Sequence, residues 1–201
     1  MSAKTEESRA AYNKIAAEYD SSPEGRYTRF HIKELSETID LRDGDVVLDV
    51  ACGNGTLLRE LSKKAEIRGN GIDVSENMIR AAKARCPDMH FEALSCYPLR
   101  WRDNSVDVIT TCCAFHHFDN PRRFVDECKR VLKENASVYI AEPNFGPMVS
   151  LFANTLWFRV SKSGDVRVYS SGELKAFFDS AGFKMVEVYQ KEKGLFLKAT
   201  K

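Results

Sequence analysis

An excess of one charge is the first thing this 201-residue sequence lacks: 30 Lys and Arg stand against 29 Asp and Glu, a formal net charge of +1. So balanced a chain has no long-range field to gather a polyanion, and nucleic acid is not an expected partner. No apolar run approaches the roughly 20 residues that span a bilayer, so no membrane partner is expected either. Met1 to Ala10 is polar and mixed in charge, unlike the apolar segment of a signal peptide. The six cysteines (Cys52, Cys86, Cys96, Cys112, Cys113 and Cys128) contain no CxxC pair and no secreted-framework spacing. Reduced thiols in a cytoplasmic protein are the expectation. Internal repeats, low-complexity tracts and Pro/Gly/Ser-rich linkers are also missing, so residues 1–201 are read as one domain.

With 43% hydrophobic residues the chain can bury a sizeable core. Tyr12, Ile15, Ala16 and Tyr19 fall at helical spacing, and a second helical stretch runs from Tyr27 to Ile39. Residues 1–40 thus form a helical cap ahead of the first strand. Short β-branched or apolar runs then alternate with helices: strands at Val46–Val50, Ile67–Asp73, Met89–Leu94, Val106–Cys113 and Ser137–Ala141. Ser75 is placed to N-cap one helix, and Asn120-Pro121 opens another as N-cap and first residue. Such alternation implies βαβ units and a mainly parallel sheet. Near the end, Ser170-Ser171-Gly172-Glu173 reads as a capping box, with Gly182 stopping the helix. Lys184–Gln190 and Leu195–Ala199 are too close in sequence for anything but an antiparallel hairpin. The expected fold is α/β, a Rossmann-like three-layer arrangement with a seven-stranded sheet ending in that hairpin.

The chemistry concentrates at Asp49-Val50-Ala51-Cys52-Gly53-Asn54-Gly55, between the first strand and the next helix. Glycine there lets backbone approach a ligand, and the helix N-terminus offers free N–H groups. Asp73 ends the second strand twenty residues after Gly53, where a carboxylate can accept hydrogen bonds from both ribose hydroxyls. Its alternative use is as a turn or helix-start Asp. Dinucleotides and S-adenosylmethionine (SAM) both suit this geometry. The dinucleotide fingerprint wants a third glycine at the position of Leu58, which argues against NAD.

These stretches resemble class I SAM-dependent methyltransferases, nearest to the small-molecule (type 11) branch that includes quinone-biosynthesis enzymes. Val47 to Gly55 resembles the family's motif I and Gly71 to Ile79 its second motif. Asp103 to Ile109, Arg130-Val131-Leu132-Lys133 and Ala181-Gly182-Phe183 match the later landmarks. The resemblance implies SAM as cofactor, with Asp49, Ala51, Cys52, Gly53 and Gly55 at its methionine end and Asp73 on its ribose. Val74 and Met78 would flank the adenine, Ser95 and Cys96 would stand where relatives carry an Asp-Ala pair, and Tyr19 and Cys112 would help close the pocket. Glu134-Asn135-Ala136 replaces the usual Pro-Gly-Gly turn; Asn tolerates left-handed backbone, so a different turn is expected.

The fourth strand ends in Cys112-Cys113-Ala114-Phe115-His116-His117. His116 or His117 is a candidate general base; the alternatives are a structural histidine, or transfer driven by in-line alignment without a base. No metal is expected, because adjacent strand residues such as Cys112 and Cys113 face opposite sides and no zinc spacing is present. The aromatic-rich span 143–170, with Phe145, Met148, Leu151, Phe152, Leu156, Trp157 and Phe158, is expected to cover a small-molecule methyl acceptor. A SAM-binding protein without transferase activity is the rival of another class. Nucleic-acid or glutamine N-methylation is disfavoured, since the fourth strand lacks an Asn/Asp-Pro-Pro-aromatic motif.

Overall fold

The computed structural model describes residues 2–157, 161 and 163–201. Trp157's side chain and Phe158, both named above as acceptor cover, lie outside what is described.

One seven-stranded sheet organises the chain, built from β1 (Val46–Val50), β2 (Arg68–Asp73), β3 (His90–Ala93), β4 (Val106–Cys112), β5 (Leu132–Pro143), β6 (Met185–Lys191) and β7 (Gly194–Thr200). Their order is β3-β2-β1-β4-β5-β7-β6. Strands β1 to β5 pair in parallel, and β7 runs antiparallel between β5 and β6. The order in which strands are added reverses between β1 and β4, the switch point beyond whose carboxyl ends parallel open sheets bind ligands.

Alternation along the strands feeds two apolar layers. Leu48, Val50, Ile72, Ile109, Val138 and Ile140 pack beneath α5 (Pro121–Val131) and a helix we number α7 (Ser171–Ser180). Val47, Val108, Tyr139 and Ala141 face α2 (Pro23–Thr38), α3 (Thr56–Leu61) and α4 (Glu76–Arg85). Fully burying each such side chain stabilises the fold by about 1.5–3 kcal/mol. Leu58, the residue in place of a third glycine, is completely buried in the second layer.

The capping signals act as read. Ser75 Oγ accepts from Met78 N–H, Asn120 from Arg123 N–H, and Ser170 with Glu173 forms a reciprocal capping box. Gly182 adopts φ +77° at the stop of α7, and Asn135, within β5 where Glu134-Asn135-Ala136 replaces Pro-Gly-Gly, takes φ +63°.

Three details differ from the sequence reading. Helix α1 (Ala3–Ile15) starts well ahead of Tyr12, because Ser2 accepts from Thr5 N–H and caps it, and its inward side at Thr5 and Ser8 is polar. After Ile15 the chain tightens into a 3-10 turn, Ala16–Ser21, that carries Tyr19. Cys113 leaves strand geometry with φ +52°, so Cys112 and Cys113 line the same cavity instead of opposite faces.

Helix α6 (Gly146–Phe152) and the wider turn Ala153–Trp157 follow β5. The helical spacing of Met148, Leu151 and Phe152 is not core packing: Met148 is 86% and Leu151 65% exposed. No helix among the described residues is long and apolar enough to cross a membrane.

Candidate cofactor site

Two adjoining cavities open at the carboxyl ends of β1, β2 and β4. The larger, about 710 Å³, is lined by Ala51, Gly53, Asp73, Val74, Met78, Ser95, Cys96, Cys112 and Cys113, and by Tyr19 and His117. The smaller, about 340 Å³, shares Tyr19, Ala51, Gly53 and Cys112 and adds Asp49, Cys52 and Asn54.

Gly53 takes φ +51°, and the space where a side chain would stand is open. Its N–H donates to Asp73 Oδ2 at 2.9 Å, while Ser75 N–H donates to Oδ1 at 2.8 Å. The carboxylate is therefore fixed in direction before any ligand arrives. Burial outweighs both hydrogen bonds and pushes its pKa up to about 6. Asp49 lies deeper, accepting from Thr110 Oγ1 at 2.7 Å, and burial lifts it to about 7. Two buried carboxylates without a cation form a site that favours a positively charged ligand. Ala51 (φ +59°) and Cys113 (φ +52°) hold left-handed backbone against the cavity, a strain of order 1–3 kcal/mol each that clusters at functional sites.

Gly55 serves another purpose. It lines neither cavity; a Cβ there would stand 3.1 Å from Ala82 Cβ and 3.3 Å from Phe91, so it lets α3 pack against α4 and β3.

Helix α1 forms the cover, contributing Thr5, Ser8 and Tyr12 to the larger cavity. It is tied to the start of α4: Asn13 Oδ1 accepts from Ser75 Oγ at 2.7 Å and Asn77 N–H at 3.0 Å, and Arg9 pairs with Glu76 at 2.9 Å. Tyr19 is held over the glycine loop because Asn54 Nδ2 donates to the neighbouring Asp20 at 2.8 Å. The sequence reading found Tyr19 but not Thr5, Ser8, Cys113, Phe118 or Asp119, which also line this cavity.

The two histidines separate. His117 lines the larger cavity, and its Nε2 lies 3.2 Å from the Tyr12 hydroxyl. His116 lines neither cavity; its Nδ1 lies 2.7 Å from Glu142 Oε2, whose carboxylate also accepts from Phe115 and His116 N–H. Burial works to lower the His116 pKa, but the Glu142 charge and hydrogen bond together with the Asp165 charge outweigh it, and the net direction is up. His117, lowered first by burial and then by His116, falls to about 4 and is neutral at pH 7. Asp165 lies close to both rings. Within span 143–170, Phe145 stacks on Tyr27 at 6.5 Å, but none of the described residues of that span lines either cavity.

A carboxylate fixed in direction by two backbone N–H groups, an open glycine turn and a cavity with Met78 and Leu94 in its lining meet at the carboxyl edge of a parallel sheet. Known proteins match accordingly. The family model described as a methyltransferase domain matches residues 48–140. A demethylmenaquinone methyltransferase of Thermotoga maritima is 33% identical over 65% of this chain and 59% of its own length. Another from Renibacterium salmoninarum is 27% identical over 85% of this chain and 77% of its own. The chain thus spans less than two thirds of the Thermotoga protein. The crystal structure of a SAM-dependent methyltransferase from Aquifex aeolicus superposes with a TM-score of 0.69 at 25% identity, covering 94% of this chain and 97% of that one. Over residues 48–140 the chain matches a methyltransferase domain, and it is similar to demethylmenaquinone methyltransferases and to a solved SAM-dependent methyltransferase, which points to SAM as the cofactor to test.

The residues present fit that cofactor. The directed oxygens of Asp73 suit a ribose, the apolar walls suit an adenine, and the uncompensated Asp49 and Asp73 suit a cationic ligand.

Proposed function

We propose that this protein transfers a methyl group from SAM to a small, partly apolar acceptor, with a quinone- or quinol-like ring as the first class to try. The observation that carries the reading is Asp73, pre-aimed by Gly53 and Ser75 inside a covered cavity at the β1–β4 switch point. The names of the two demethylmenaquinone methyltransferases support the ring-bearing acceptor. The balanced charge speaks against a polyanionic one. All six cysteines are free thiols, in keeping with a cytoplasmic location.

When bound, SAM supplies a methyl group on a sulfonium sulfur, open to in-line displacement. The chain's own part is alignment and exclusion of water. Asp73 sets the ribose, Tyr12 and Tyr19 close the cavity from α1 and the 3-10 turn, and the Ala51 and Cys113 backbones hold the walls. Neither imidazole aims an unused nitrogen at the cavity. His117 Nε2 is taken by Tyr12, His116 Nδ1 by Glu142, and the remaining nitrogens face Asp165. The histidines are therefore positioning residues, and alignment supplies the acceleration. Within span 143–170, Met148, Leu151, Phe152 and Leu156 expose their apolar side chains beyond the carboxyl end of β5 and would cover the acceptor once both ligands are bound.

Calorimetry should find micromolar S-adenosylhomocysteine binding and no comparable NADH binding. Transfer of labelled methyl to a panel of naphthoquinols, phenols, amines and carboxylates then tests the acceptor. Labelling of tRNA or protein alone would refute the small-acceptor reading; binding with no transfer to any acceptor would favour a SAM-binding regulator.

A further inference from the structure

We propose that His116, His117 and Asp165 form a binding site for one divalent transition-metal ion of the zinc class, beside the cofactor cavity. These residues each offer a ligand atom, and the three atoms lie within 4.8 Å of one another. Asp165 Oδ1 is 3.7 Å from His116 Nε2 and 3.6 Å from His117 Nδ1. Both separations are too long for hydrogen bonds. They match two ligands about 2.1 Å from a shared ion at an angle of about 120°, the bond length of zinc to imidazole or carboxylate. His117 Nδ1 is buried and has no hydrogen-bond partner among the described residues.

Each ligand is also held from behind, as metal ligands are. His116 Nδ1–H donates to Glu142, which fixes the ring with Nε2 toward Asp165. His117 Nε2 is bonded to the Tyr12 hydroxyl, which leaves Nδ1 as the free nitrogen. The hydroxyls of Ser161 and Ser163 donate to Asp165 Oδ2 at 2.9 and 2.8 Å, so Oδ1 is the oxygen presented to both rings. Charge points the same way. Glu142 and Asp165 bring two negative charges, and among the described residues neither forms an ion pair with Lys or Arg. A dication would neutralise both.

The ion would clamp Asp165, with Ser161 and Ser163 bonded to it, to the carboxyl ends of β4 and β5. Helix α1 rests on that same cluster through Tyr12, so the clamp would steady the cofactor cavity's cover. Two adjacent histidines and an aspartate 48 residues later have no zinc-motif spacing, which is why the sequence argued against a metal.

The full-length chain, stripped with chelator, is titrated with Zn(II) alone and then with Co(II) alone. One ion should be retained per chain after gel filtration and should raise the melting temperature. Glu142→Gln should weaken binding by about 10–100-fold, and Asp165→Asn or His117→Gln by at least as much. S-adenosylhomocysteine binding by the metal-free variants reports that they are folded, and it keeps failure of the metal site distinct from failure of the cofactor reading. Should Glu142→Gln not fold, Asp165→Asn decides, since its amide can keep the serine contacts. Co(II) should show ligand-field bands without thiolate charge transfer. No retention of either ion, affinity unchanged in Asp165→Asn and His117→Gln, or a thiolate band placing cobalt on Cys112 and Cys113 would each overturn the proposal.

Discussion

Replacing Asp73 with Ala separates a cofactor ligand from a structural turn residue. Burial raises this carboxyl from its ordinary 3.8 to about 6. At 1.36 kcal/mol per pH unit, ionising it in the folded chain costs about 3 kcal/mol. Truncation removes that cost. It also frees the N–H groups of Gly53 and Ser75, each worth about 1–3 kcal/mol when left unsatisfied. Gly53 lines the cavity, where water can reach its N–H and the lower end applies, whereas Ser75 is fully buried, so the loss is about 2–4 kcal/mol together. The opposing effects nearly cancel, and the ligand-free variant should stay within about 1 kcal/mol of the parent. Ligand binding has no such offset. Losing hydrogen bonds from ribose hydroxyls to a charged acceptor costs about 1.5–3 kcal/mol, roughly a 10- to 150-fold weaker Kd. Urea denaturation with and without S-adenosylhomocysteine reads both quantities, and calorimetry with the 2′-deoxy analogue isolates the ribose contact. The parent should discriminate against the analogue and the variant should not. A variant that loses more than about 3 kcal/mol without ligand yet keeps its affinity would make Asp73 a turn residue and refute the reasoning.

Three further outcomes follow from the same geometry. Asp73 and Asp49 hold their protons more tightly folded than unfolded, with pKa values of about 6 and about 7 against 3.8. Their stabilising contribution is complete below the unfolded value and is lost as pH rises through the folded ones. Ligand-free stability should thus decline from about pH 4 to 7 on account of these groups, while SAM affinity rises with the carboxylates and binding near pH 6 releases protons, seen by calorimetry in two buffers. Gly53→Ala places a methyl in open space at positive φ and should weaken S-adenosylhomocysteine binding at a stability cost of about 1 kcal/mol. Gly55→Ala meets Ala82 and Phe91 and should lower the urea midpoint further while sparing affinity. Leu151→Ser on exposed α6 should change stability by no more than about 0.5 kcal/mol; if span 143–170 covers the acceptor, it raises the acceptor's KM and leaves that of SAM unchanged.

Elements that bury one face against the sheet were readable because their periodicity is set by the sheet itself. Six of the seven strands, the caps at Ser75, Asn120 and Ser170, and the stop at Gly182 lay where local patterning put them; β5 instead starts at Leu132 and runs through Glu134-Asn135-Ala136, where a turn was expected before Ser137. The early start of α1 was hidden because its inward positions, Thr5 and Ser8, are polar and leave residues 3–10 without an apolar stripe. Helix α6 shows the opposite case: Met148, Leu151 and Phe152 carry a core helix's spacing without a core to face. Hydrophobic period reports an apolar stripe, and only the tertiary structure says what covers it.

At the site, the glycine loop and Asp73 were legible because one strand–turn–helix unit fixes them and the next strand lies alongside. What could not be read is whatever depends on a residue leaving its expected local geometry or arriving from a distant segment. Cys113 belongs to a strand by pattern, yet one left-handed φ turns it into the cavity beside Cys112. Gly55 reads as a cofactor glycine by spacing, and the room it provides is used by Ala82 and Phe91. His116 and His117 looked like a base because they end a strand at the ligand edge. Their partners, Glu142 on β5, Tyr12 on α1 and Asp165 beyond α6, come from three segments that share no motif. In isolation each ring has the chemistry of a base; here each is fixed on one side and turned toward the Asp165 carboxylate on the other, a geometry that no local pattern encodes.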